Sequence, residues 1–107
     1  MRRIMSVGDL KRYYGGRSPR RILFCTDNQA WSNVGNPLKA SLVFTSMVMV
    51  CNPNVICLKN GENTIWFERV KSVIVDVNRS PLGTVLDIIC GDSTSEENDI
   101  HYTIIAS

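Results

Sequence analysis

The sequence is short of the side chains that carry most enzymatic chemistry. Its 107 residues include a single histidine, His101, and four cysteines, Cys25, Cys51, Cys57 and Cys90, with no C-x-x-C spacing among them. Structural zinc needs closely spaced thiolates and imidazoles, so neither a metal site nor any other cofactor is expected. Each cysteine lies within or beside an apolar run (LFC, VMVC, VICL, DIIC), as expected of buried free thiols that behave as small hydrophobes. A Cys51–Cys57 bridge is disfavoured in a reducing compartment. The phosphate-binding and nucleophile patterns G-x-x-x-x-G-K-[ST], G-x-G-x-x-G and G-x-S-x-G are all missing, and Gly15-Gly16 follows a helical pattern rather than opening one. His101 sits inside the β-rich run IHYTII, where the expectation is a strand residue facing solvent or pairing with a carboxylate. These absences predict a protein that is not an enzyme.

Long apolar runs are missing too. The longest, Met47 to Cys51, is far below the roughly 20 residues that a membrane-spanning helix requires. The opening MRRIMSVGDL has arginines but no apolar stretch behind them, so no secretory leader and no membrane contact are expected. No helical periodicity recurs after residue 16, which argues against the parallel strand–helix–strand crossovers of α/β folds. From Leu82 onward there is no lysine or arginine, against five acids, Asp87, Asp92, Glu96, Glu97 and Asp99.

What is present is a polarised charge distribution. Residues 1–21 carry Arg2, Arg3, Lys11, Arg12, Arg17, Arg20 and Arg21 against Asp9 alone, for +6, while residues 22–107 carry five basic and nine acidic groups, for −4. Such polarity steers encounter with a charged partner, or lets the two ends attract each other within the fold.

The local patterns place these charges. Ser6-Val7-Gly8-Asp9 reads as a helix start with a capping box, Val7, Leu10 and Tyr14 follow at helical spacing, and Gly15-Gly16 is a stop signal, giving a short helix over residues 5–16. A helix that short is marginal alone and must dock through its apolar stripe. Arg21 to Thr26 reads as a strand and residues 27–37 as a loop anchored by Trp31. Leu38 to Cys51 alternates, with the even positions apolar, and predicts a long strand with a break near Thr45-Ser46. Asn60-Gly61 between VICLK and ENTIWFE predicts a two-residue hairpin that sets Lys59 opposite Glu62 and Ile56 opposite Ile65. Strands are expected at Val70 to Val77, Thr84 to Cys90 and Ile100 to Ile105, with a solvated loop over residues 91–99. The expected fold is a single α+β, mostly β domain over residues 1–107. In it the N-terminal helix is followed, over residues 21–107, by a five- to six-stranded antiparallel meander curled into a small barrel or half-barrel.

Two contact surfaces follow. The basic segment offers Lys11, Arg12, Tyr13, Arg17, Arg20 and Arg21, the mixture of cations and aromatic rings that phosphate contact and base stacking use, or else the solvated end of a helix and the turn after it. The acidic loop offers Asp92, Glu96, Glu97 and Asp99 to a basic protein surface, or else is simply solvated. The apolar alternation of Leu38 to Cys51 leaves a homodimer through that edge open.

The run CNPNVICLKNGENTIWFERVKSVIVDV, with LDIICGD and HYTIIAS, resembles in size and strand–turn style the small accessory proteins of phages and mobile elements, among them inhibitors of the anti-CRISPR kind. The resemblance covers residues 51–107 and transfers no site residue. It implies action by binding: a small non-enzymatic protein in the cytoplasm of a bacterial host that inhibits or modulates a larger protein or nucleoprotein complex. A direct nucleic-acid-binding module using residues 11–21 is the alternative.

Overall fold

The computed structural model describes residues 2–25, 43–61, 63–92 and 98–107. Ser6 caps helix α1 (Val7–Tyr14): its side chain accepts from the Asp9 amide, the Asp9 carboxylate accepts from the Ser6 amide, and Gly15 closes the other end in the left-handed conformation with φ 58°. The helix is shorter at both ends than residues 5–16, because Met5 belongs to a strand and Gly15 already terminates the backbone pattern. Val7 and Leu10 are buried and Tyr14 is half-buried, as the spacing predicts.

Nine strands are present among the described residues, not five or six, and they form two sheets rather than a barrel. They are β1 (Arg2–Met5), β2 (Ile22–Cys25), β3 (Val43–Phe44), β4 (Ser46–Val50), β5 (Val55–Lys59), β6 (Thr64–Phe67), β7 (Val70–Ser80), β8 (Gly83–Cys90) and β9 (Ile100–Ala106). The larger sheet runs β1-β7-β8-β9-β2-β3 and the smaller β4-β5-β6, and every pairing between neighbours is antiparallel. Only β7-β8-β9 and β4-β5-β6 are meanders. In the larger sheet β1 joins the free side of β7, and β2 pairs with β9 near the end of the chain. One core fills the space between the sheets and the helix: Leu10 of α1, Met47 and Met49 of β4, Ile56 and Leu58 of β5, and Leu86, Ile88 and Ile104 of β8 and β9 all belong to it. Leu23, Val85 and Ile105 form a second, smaller cluster with Val43.

Two expectations about register are corrected. The β5–β6 hairpin pairs Lys59 with Thr64, Leu58 with Ile65 and Ile56 with Phe67, so its loop spans residues 60–63 rather than Asn60-Gly61 alone. Asn60 stabilises this longer turn: its amide N–H donates to the Asn63 carbonyl (3.0 Å), its side-chain oxygen accepts from the Asn63 amide (3.1 Å) and its side-chain NH₂ donates to the Val43 carbonyl (2.9 Å). The break near Thr45 does occur, between β3 and β4, but it reverses the faces. Phe44 is buried, then Met47 and Met49 are buried while Val48 and Val50 are exposed, because one interposed residue exchanges the two faces of a strand.

Of the cysteines, Cys57 and Cys90 are buried and free, whereas Cys51 is free but exposed at the turn after β4. His101 is exposed on β9. The loop at residues 27–37, Trp31, residues 38–42, and the proposed partner of Lys59, Glu62, lie outside the described residues. No helix among the described residues is long and apolar enough to cross a membrane.

Candidate functional site

The fold divides the basic segment into three places. Lys11 and Arg17 line a groove of about 260 Å³ beside β4, together with Tyr14, Ser18, Met47 and Val48. Arg12 and Tyr13 lie in a different recess, next to Arg3 and Ile4 of β1, where the Arg12 guanidinium is engaged by the Asp9 carboxylate. Arg20 and Arg21 are exposed beside the last residue: both backbone amides donate to the Ser107 carbonyl (3.1 and 3.2 Å), and the Arg21 carbonyl accepts from the Ser107 amide (2.9 Å). All six residues are exposed; Lys11 and Arg17 share one cavity, Arg12 and Tyr13 another, and the Arg12 charge is already engaged by Asp9.

The acidic loop is divided as well. Asp99 is mostly buried and takes both of its side-chain contacts from the Lys71 ammonium, at 3.0 and 3.1 Å. Gly91 makes that approach possible: a side chain there would run into the Asp99 carboxylate. Asp99 therefore ties the start of β9 across β8 to β7, and its charge is spent within the fold. Asp92 is exposed and lines a wider cavity of about 740 Å³ with Arg69, Lys71 and Asn54. Glu96 and Glu97 lie outside the described residues.

The smaller sheet presents a surface that the basic and acidic segments do not foreshadow. Period-2 alternation sends Met47, Met49, Ile56, Leu58 and Phe67 inward, so Val48, Val50, Cys57 and Trp66 share the outer face. The register sets Val48 opposite Cys57 and Cys57 opposite Trp66, a row that crosses all three strands and spans about 10 Å at ordinary strand spacing. Its ends are open, with Val48 43% and Trp66 58% exposed, while Cys57 between them is 1% exposed. The next outer rank holds Lys59 between Ser46 and Thr64. Val48 also lines the groove with Lys11 and Arg17, so the apolar row and the basic rim are one continuous surface.

Cys57 and Cys90 are poor candidates for nucleophilic chemistry. Burial pushes the Cys57 thiol up, against a smaller pull from Lys59. Burial, reinforced by the Asp99 carboxylate, pushes Cys90 to about 11. Both are protonated at neutral pH, and the thiolate is the reactive form. No group of three or more metal-ligating side chains occurs among the described residues.

The exposure of Trp66 was legible in principle. It alternates with Ile65 and Phe67, so a strand that buries those two must turn Trp66 outward. The Val48–Trp66 row was not, since it depends on the face reversal at Thr45 and on the four-residue hairpin loop. No protein family, curated protein or solved structure matches the chain.

Proposed function

We propose that this chain is a non-enzymatic interaction protein that binds a larger protein or nucleoprotein complex through the outer face of its small sheet, and inhibits or modulates it. An inhibitor of the anti-CRISPR kind, acting in the cytoplasm of a bacterial host, is the specific form of that proposal. The observation that carries the reading is the Val48–Cys57–Trp66 row continuous with Lys11 and Arg17. Protein interfaces concentrate their binding energy in central aromatic and arginine side chains with apolar neighbours, and an exposed tryptophan on an ordered strand is pre-organised for that role. The larger sheet supports the face from behind through the shared core.

Affinity capture from the natural host, followed by titration of the recovered partner, tests this. Trp66→Ala leaves the fold intact, because the ring is more than half exposed, and it weakens partner binding at least about tenfold, the effect of losing a hot-spot residue. An unchanged affinity overturns the proposal. Tight binding to naked duplex DNA, with a log–log salt slope near −0.9 per neutralised phosphate, shifts the function to direct nucleic-acid binding.

A further inference from the structure

The groove beside β4 has an internal chemistry that narrows what the proposed partner brings to it. One wall is the edge of β4 at Met47, Val48 and Met49, of which Val48 alone is exposed, and the rim carries Lys11 and Arg17. No acidic side chain lines it among the described residues, and neither cation has an ion-pair partner among them. The Tyr14 ring lines the same groove, and its hydroxyl is buried without a hydrogen-bond partner. A phenol in that position is a donor with no acceptor, and a buried unsatisfied donor is costly enough that most native structures avoid it. Burial, with the Tyr13 phenol as a lesser cause, holds its pKa up to about 12, so it keeps its proton throughout the physiological range.

The backbone beside the groove is already closed. The Met47 amide donates to the Ser18 hydroxyl (2.9 Å), and the Ser18 hydroxyl donates to the Met47 carbonyl (3.3 Å). The Met47 amide is thereby engaged, which disfavours an added strand at that residue and favours side-chain insertion as the mode of entry.

We infer that this groove receives a carboxylate-bearing side chain of the partner protein. Its aliphatic or aromatic stem lies on Val48 at the β4 edge, and its carboxylate accepts from Lys11 and Arg17 and, once entry opens the cover over it, from the buried Tyr14 hydroxyl. The inference rests on the reading of this face as an interaction surface and adds the chemistry of what docks there. Charge complementarity favours it: two cations without an ion-pair partner among the described residues and one unsatisfied donor belong to a single groove with no acid in its described lining, and an anionic oxygen pair supplies what they lack.

The test uses the full chain and two fragment probes, 3-phenylpropanoate and its neutral amide, followed by amide shifts in NMR titration. The carboxylate is expected to move the resonances of residues 11–18 and 47–49 saturably, with the amide at least about tenfold weaker, the usual cost of losing a charge-assisted hydrogen bond. The double variant Lys11→Ala/Arg17→Ala, changed only at exposed positions, is expected to lose the same factor. Tyr14→Phe is expected to weaken the carboxylate while raising the melting temperature, a combination that a merely structural tyrosine does not give. Equal binding of acid and amide, shifts confined to other regions, or full affinity in the double variant overturns the inference. These outcomes are independent of capture from the host. Failure of the fragments with Trp66-dependent partner binding intact removes the inference alone, and loss of Trp66 dependence with the fragments still bound removes the wider reading.

Discussion

Tyr14 combines a ring that packs on the core, edge-on to Tyr13 at 5.1 Å, with a hydroxyl that burial leaves unsatisfied. Removing an unsatisfied buried hydroxyl relieves a desolvation cost, so Tyr14→Phe is predicted to stabilise the free chain by about 1 kcal/mol in denaturant unfolding. Gly83 shows the opposite dependence. It has φ 150°, and a Cβ there would approach the Ala106 carbonyl oxygen to 2.6 Å, backbone that cannot yield. Gly83→Ala is predicted to cost at least about 2 kcal/mol by the same measurement. Lys71 belongs with Gly83: its ammonium offsets the mostly buried Asp99 charge, and Lys71→Met is predicted to cost about 1–3 kcal/mol, whereas Lys59→Met on the open face changes little. At this scale the sequence marked the helix stripe, the capping residues and the buried character of Cys57 and Cys90, since each follows from local pattern. It could not mark Asp99 as paired, because Lys71 reaches it only after two strand crossings.

Among the elements, α1 is held by its ends. Ser6 and Asp9 exchange hydrogen bonds across the first turn, Arg12 adds an ion pair to Asp9, and Gly15 caps the last turn. Ser6→Ala is predicted to cost about 1 kcal/mol. Hydrogen bonds from the Ser6 side chain and backbone, then the Arg12 guanidinium, hold the Asp9 carboxyl below its ordinary value of 3.8. A carboxyl depressed in the folded state contributes its stability above the ordinary value and loses it as the pH falls through the folded one. Wild type and Asp9→Asn are therefore predicted to differ in melting temperature at neutral pH and to converge in acid below that value. A gap that persists unchanged in strong acid would show that Asp9 acts other than through its charge. The hairpin between β5 and β6 departs from its local turn signal for a physical reason. Asn-Gly is the strongest two-residue turn signal, but the Asn60 side chain bonds both across its own loop and to Val43, contacts a local reading cannot see, and they favour the longer turn. The face reversal at Thr45 was missed in the same way: the sequence located the break but not its consequence for parity.

For the whole molecule, the sheet order explains why the strands form two sheets and not the barrel that a simple meander predicts. The antiparallel pairing of successive strands was readable from turn residues and alternation. The pairing of β1 with β7 and of β2 with β9 joins segments far apart in sequence, and nothing local specifies it. Arg2 and Arg3, part of the basic excess that suggested a binding segment, lie on the exposed edge strand β1, where charged side chains discourage a further strand from adding. The common core makes the small sheet's outer face dependent on its inner one: Leu58→Ala, behind Cys57 and Trp66, is predicted to cost about 2–5 kcal/mol and to loosen the interaction face with it. Candidate cations were readable from composition, but their division among three places, and the choice of Lys11 and Arg17, came from the packing of α1 on β4.

In the proposed complex one face of the molecule, from the end of α1 across β4 and β5 to Trp66, makes the contact. Hydrogen exchange of the chain, free and bound to the partner recovered from its host, tests it most directly. New protection is expected in residues 11–18, Met47–Val50 and Thr64–Phe67, with β1 and β7 unchanged. Protection that falls instead on Arg2–Met5 and the β7–β8 hairpin, with the small sheet unaffected, would contradict it.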